Sequence, residues 1–262
     1  MYVGSCNGFF RSLDAKTGKV QWETNVKVAG AKQYFFHGDV FIAPDRIVTS
    51  TDVDTSTGAE AGVHAFDRNT GRQLWKYPAG RGVLGAVVGS DEHVFAYAST
   101  GDLMALNLKS GKRQWTSPLK AAAWESPAAT GNRVFAGSNH ASVFAFDAET
   151  GRIEWQQKLS GPVATSIRAT ASDVYAGTSD GAMYRLASSS GEVRSSLKID
   201  AVLTPVSAPV VRKDAILVLL ADKDANYRAV VSLDPTLERV KWRQNATVRG
   251  ARVACSRRIE PF

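Results

Sequence analysis

The chain has 262 residues, of which 44% are hydrophobic and 22% charged, a balance that excludes an intrinsically disordered chain. A chain of this length buries a substantial core without disulfide or metal staples. The formal net charge of +7 favours acidic partners or surfaces over basic ones. No window approaches the roughly 18 consecutive apolar residues that a membrane helix needs.

The chain opens on Met1-Tyr2-Val3-Gly4-Ser5, which reads as a strand. No charged n-region and apolar h-region precede it, so no signal peptide is expected in these residues, although a start in mid-blade fits a missing upstream segment. The first hairpin follows, Leu13-Asp14-Ala15-Lys16-Thr17-Gly18, with Trp22 four residues beyond the glycine. The same unit returns as Phe66-Asp67…Thr70-Gly71…Trp75, as Leu106-Asn107…Ser110-Gly111…Trp115 and as Phe146-Asp147…Thr150-Gly151…Trp155. A fifth copy keeps Gly191 but has Ser195 at the tryptophan position. A sixth keeps Asp234 and Trp242 but has Glu238 at the glycine position. Gly71, Gly111, Gly151 and Gly191 are spaced by 40 residues, and the flanking intervals of 53 and 47 read as loop insertions in an unchanged unit.

Each Asp-x-x-Thr-Gly stretch joins two short apolar runs, which is a hairpin pattern. The carboxylate can accept the amides of the turn it opens, and the glycine can take positive φ. One tryptophan per unit, on the outgoing strand, is expected to pack between neighbouring units. Arg133–Ser138 and Ser142–Phe146, with their repeats at Asp173–Thr178 and Ala182–Leu186, supply two more strands. A short segment such as Ser126–Ala129 supplies a fourth. Strands this short, with turn signals every 8–12 residues, exclude a helical solenoid and predict four-stranded propeller blades, here named A (innermost) to D.

The expected fold is therefore all-β, a six-bladed β-propeller of four-stranded antiparallel blades forming one domain over residues 1–262. Its ring is closed by a C-terminal strand at Gly250–Cys255, which supplies the strand A that the first blade lacks. The structural residues are Gly18, Trp22, Gly71, Trp75, Gly111, Trp115, Gly151, Trp155, Gly191 and Trp242. In this register Cys6 and Cys255 are offset by about four residues, or roughly 13 Å, so two free thiols are expected.

These motifs resemble the PQQ-like repeat, the quinoprotein-type β-propellers with tryptophan-docking motifs, over nearly the whole chain. That resemblance implies a propeller used either by redox enzymes or by proteins that only bind partners. The enzymes of the family hold a quinone and calcium in eight blades, many beside two adjacent cysteines. This chain has fewer repeats, no adjacent cysteine pair and no carboxylate set suited to calcium. The non-enzymatic branch is a periplasmic scaffold of outer-membrane protein assembly, so the resemblance makes an extracytoplasmic location plausible if a segment precedes Met1.

The expected function is non-catalytic: a protein-interaction or ligand-binding scaffold, monomeric, that takes a protein or an acidic ligand and no nucleic acid. The alternatives are a PQQ-dependent oxidoreductase, using PQQ with calcium, and a sensor or auxiliary domain of a longer protein. The B–C and D–A loops share one face, and residues entering strand A from it ring the channel: Lys32, Gln33, Arg81, Trp124, Glu125, Thr165, Thr204 and Arg249. Trp124 lies outside the repeat motif and reads as a plug of the channel mouth or an exposed anchor. The insertions around Asp52 and Asp54 and around Asp222 and Asp224 read as solvated hairpins. Their alternating oxygens make these four residues weak metal candidates only. His37, His64, His93 and His140 occupy different repeat positions and read as surface or strand-end residues.

Overall fold

A computed structural model describes residues 1–26, 34–36, 38–53, 61–80, 82–83, 85–119, 125–222 and 227–247. The chain folds as an all-β, six-bladed propeller, with no helix among these residues. Four blades have the full A–D order. These are Phe41–Ile42, Arg46–Ser50, Gly62–Asp67 and Gln73–Pro78 in the second, and Val88–Gly89, His93–Tyr97, Leu103–Asn107 and Arg113–Ser117 in the third. The fourth has Ala128–Thr130, Arg133–Ser138, Ser142–Asp147 and Ile153–Lys158, and the fifth Arg168–Ala169, Asp173–Gly177, Ala182–Ala187 and Val193–Lys198. In the sixth, strand A is split into Thr204–Pro205 and Val210–Val211, which both pair with Ile216–Ala221. Tyr227–Leu233 and Val240–Thr247 complete that sheet. The first blade contributes Tyr2–Gly4, Phe9–Leu13 and Val20–Asn25. The strand expected to close the ring lies outside the described residues.

The Asp-x-x-Thr-Gly turns have the expected chemistry. Asp67 Oδ1 accepts the amides of Asn69 and Thr70 and the Thr70 hydroxyl, at 2.9–3.0 Å. These bonds lower the Asp67 carboxyl below the usual range, the Thr70 hydroxyl contributing most. Every C strand also carries a bulge at one equivalent place, between Ala65 and Phe66, Ala105 and Leu106, or Ala145 and Phe146, for instance. The extra residue twists the D strand and re-aims it toward the next blade.

The apolar core sits between blades. Phe10, Trp22, Ile47 and Phe66 fill the space between the first and second, and Trp75, Val94 and Leu106 that between the second and third. Phe95, Leu103, Val134 and Phe146 pack the next junction, then Phe135, Trp155, Val174 and Leu186. The fifth junction has no tryptophan. Leu237, at φ +58°, is buried there with Tyr175 and Met183, and Leu197 packs against them. Leu237 takes the motif position of the threonine, so the sixth turn supplies the bulk that Ser195 lacks.

Three expectations need correction. Cys6 is disulfide-bonded, not a free thiol. Strand B of the first blade ends at Gly4, so Cys6 sits in the following turn, where a count of 3.3 Å per residue along a strand does not apply. The chain's other cysteine, Cys255, lies outside the described residues. His64 is no surface residue: it is 1% exposed in the middle of Gly62–Asp67, hydrogen-bonded to the Thr51 hydroxyl at 2.9 Å through Nε2 and stacked on Phe66. Trp242 is 49% exposed, so it does not serve as a buried docking residue.

Asp173, buried at the start of its strand, accepts from Arg185 Nε at 2.8 Å, Arg194 Nη1 at 2.8 Å and the Ser172 hydroxyl at 2.6 Å. Replacing it with alanine leaves two guanidinium groups without that acceptor. The expected loss is about 2–3 kcal/mol, read as a lower denaturant midpoint at unchanged slope.

Candidate functional site: blade junctions and the channel mouth

Four junctions use one geometry. Trp22 Nε1 donates to the Arg68 carbonyl at 3.0 Å and Trp75 Nε1 to that of Leu108 at 2.9 Å. Trp115 Nε1 donates to the Ala148 carbonyl and Trp155 Nε1 to that of Ser188, both at 3.0 Å. The acceptor is always the residue after the first position of the turn in the following blade. The indole lies on the motif glycine of that turn. A Cβ added at Gly71, Gly111, Gly151 or Gly191 would meet Trp22, Trp75, Trp115 or Trp155 at 2.5–2.6 Å. Glycine is required there twice over, for this approach and for a φ near +70°.

The rigid ring so formed carries the channel. A cavity of about 450 Å³ is lined by Asp39, Ala86, Ser126, Ser166, Arg168 and Ala208, among others. These belong to the inner segments of five successive blades, so the cavity is the axial channel. Serines stitch its wall: the Ala86 amide donates to Ser126 Oγ at 2.8 Å and the Ser126 amide to Ser166 Oγ at 3.0 Å. The 40-residue step between Ser126 and Ser166 is the sequence signal for this ladder.

Of the residues expected at the channel mouth, Glu125 is half-buried beside this ladder. Burial pushes its carboxyl up to about 7 against the hydrogen bond with Ser166. Thr204 is half-buried and donates to the Ser179 carbonyl at 3.2 Å. Thr165 is fully buried, and its hydroxyl accepts the Gly177 amide at 2.8 Å, so it cannot meet a partner as expected. Its side chain turns into the blade to satisfy a buried N–H. Lys32, Gln33, Arg81, Trp124 and Arg249 lie outside the described residues, as do Asp54, Asp224 and His37. Asp52 is buried in the second blade and Asp222 ends strand B of the sixth, so they do not share a site.

The fit of a quinone with calcium can be judged from the donors. Among the described residues no three His, Cys, Asp or Glu side chains converge to hold a metal ion. The channel wall offers one carboxylate, Asp39. Calcium takes six to eight oxygen ligands, several of them carboxylates, and these residues do not fit that demand.

Repeated blades joined by indoles seated on the next blade's glycine turn define a tryptophan-docked β-propeller. Residues 7–124 and 117–258 match the family model described as outer membrane protein assembly factor BamB. The chain belongs to this family of PQQ-like repeat propellers. Among solved structures it is similar to BamB from Moraxella catarrhalis, with a TM-score of 0.70 and 18% identity over 92% of this chain and 69% of that one. The quinohemoprotein alcohol dehydrogenase from Comamonas testosteroni gives a TM-score of 0.61 at 16% identity, over 80% of this chain and 43% of that one. Among curated proteins, quinohemoprotein alcohol dehydrogenase ADH-IIG of Pseudomonas putida is 33% identical over 81 residues, 29% of this chain and 11% of that protein. The quinone alcohol dehydrogenase subunit of Gluconacetobacter polyoxogenes is 32% identical over 82 residues and is matched over 11% of its length. No helix among the described residues is long and apolar enough to cross a membrane.

Proposed function

We propose that this chain is a non-catalytic β-propeller scaffold that binds a protein partner, or an acidic ligand, through the face of its B–C and D–A loops. The observation that carries this reading is the match of nearly the whole chain to the family described as an outer membrane protein assembly factor. The net charge of +7 supports an acidic partner surface, with Lys32, Arg81 and Arg249 as the cations at the channel mouth. The disulfide at Cys6 supports an oxidising, extracytoplasmic compartment.

The test is capture of extracytoplasmic proteins by the wild type and by a Lys32→Glu, Arg81→Glu, Trp124→Ala variant. A partner held by the wild type should be lost by the variant and released by salt. Recovery of every partner by both forms discards this face. A second reading, a quinone-dependent oxidoreductase, is favoured by the 81-residue likeness to an alcohol dehydrogenase. Titration with pyrroloquinoline quinone and calcium, followed by alcohol-dependent dye reduction, separates the two. The scaffold reading expects neither saturable binding nor reduction.

A further inference from the structure

Each docking junction has two halves, an indole and a glycine turn, and the chain carries one unused copy of each. The turn of the first blade is fully built. Asp14 Oδ1 accepts the amides of Lys16 and Thr17 at 3.0 and 2.7 Å, and Gly18 stands at φ +70° like its counterparts. Nothing lies within 4 Å of a Cβ placed on Gly18, whereas the four equivalent glycines each meet an indole. At the other end, Trp242 is 49% exposed on strand D of the sixth blade. It stands in register with Ser232, Leu217 and Val210, and Val210 and Val230 beside it are 54% and 41% exposed. This face is apolar and bare, while the opposite face of the same sheet, with Val218 and Val231, is buried against the fifth blade.

We propose that copies of this chain join head to tail, Trp242 of one seated on the Asp14–Gly18 turn of the next, its Nε1–H donating to the Ala15 carbonyl. Ala15 follows Asp14 as Arg68 follows Asp67, so donor, acceptor and glycine all have precedents within the molecule. The interface is heterologous: each copy gives a different surface, and every dimer keeps one free half at each end, so addition can continue. The expectation of a monomer took no account of these two halves.

Sedimentation velocity over about a hundred-fold range of concentration tests this. The wild type should gain mass as concentration rises. Trp242→Ala removes the indole. Gly18→Asn fills the socket at a position open to solvent, with a residue that tolerates positive φ. Both variants should melt like the wild type when dilute and stay monomeric when concentrated. Mixed in equal amounts they should form a one-to-one dimer and nothing larger, because each retains the half that the other lost. A wild type that remains monomeric overturns the proposal. If Trp242→Ala also lowers the melting temperature of that monomer, the indole docks on its own chain instead. Association that survives both substitutions, or variants that do not rescue each other, overturns it equally.

Discussion

Trp75→Ala should lower the stability of the protein by about 3–5 kcal/mol, while Trp242→Ala, in dilute solution, should change it by less than about 0.5 kcal/mol. The two residues hold the same place in the repeat and differ only in what covers them. Trp75 is 9% exposed, donates to Leu108 and lies on Gly111, whereas Trp242 has no blade beneath it among the described residues. Removing Trp75 opens a cavity between two blades and leaves the Leu108 carbonyl without its donor. Gly111→Ala attacks the same junction from the other side. Its Cβ would meet Trp75 Cδ2 at 2.6 Å from a backbone at φ +69°. Strain and collision together should cost about 2 kcal/mol or more. The double variant should cost less than the sum of the two, since without the indole the new methyl has nothing to strike. Chemical denaturation of the four proteins measures this, and additive effects would mean that glycine and indole do not share a junction.

The blades were legible in the sequence because the repeat states its own register. A glycine, an acidic turn residue and a tryptophan at fixed spacing require a hairpin, and the same hairpin at intervals of 40 residues requires neighbours of one kind. Periodicity identifies equivalent positions but not the direction in which each side chain leaves them. Thr165 lies one repeat beyond Glu125, yet it turns into its blade to meet the Gly177 amide while Glu125 stays at the channel wall. Pairwise compensation was equally silent: Ser195 and Leu237 stand 42 residues apart, and only their packing shows that one residue's bulk replaces the other's. The ends were hardest, since a count along a strand cannot place Cys6, which lies beyond the strand's last paired residue.

Stability should be almost independent of pH between about 4.5 and 6.5 as far as His64 and Glu125 are concerned, because the two groups pull in opposite directions. Burial, with the charge of Lys76 adding to it, lowers His64 from 6.5 to about 4. The unfolded chain therefore binds the extra proton first, and the stability present above pH 6.5 is lost as pH falls toward 4. Burial raises Glu125 from 4.5 to about 7. Here the folded chain binds the proton first, and the stability present below pH 4.5 is lost as pH rises through 7. Each shift corresponds to about 3 kcal/mol at most, so over the shared window the proton uptake of one cancels that of the other. Single substitutions should uncover the two slopes. Glu125→Gln should leave a protein that weakens by about 2–3 kcal/mol on acidification from pH 6.5 to 4.5. His64→Gln should leave one that weakens by a similar amount between pH 4.5 and 7. The other carboxylates are common to both variants, so they drop out when the two urea-denaturation profiles are subtracted. The difference profile should rise steadily across the window, and a flat difference would mean that neither group is held away from its ordinary titration by burial in the blades.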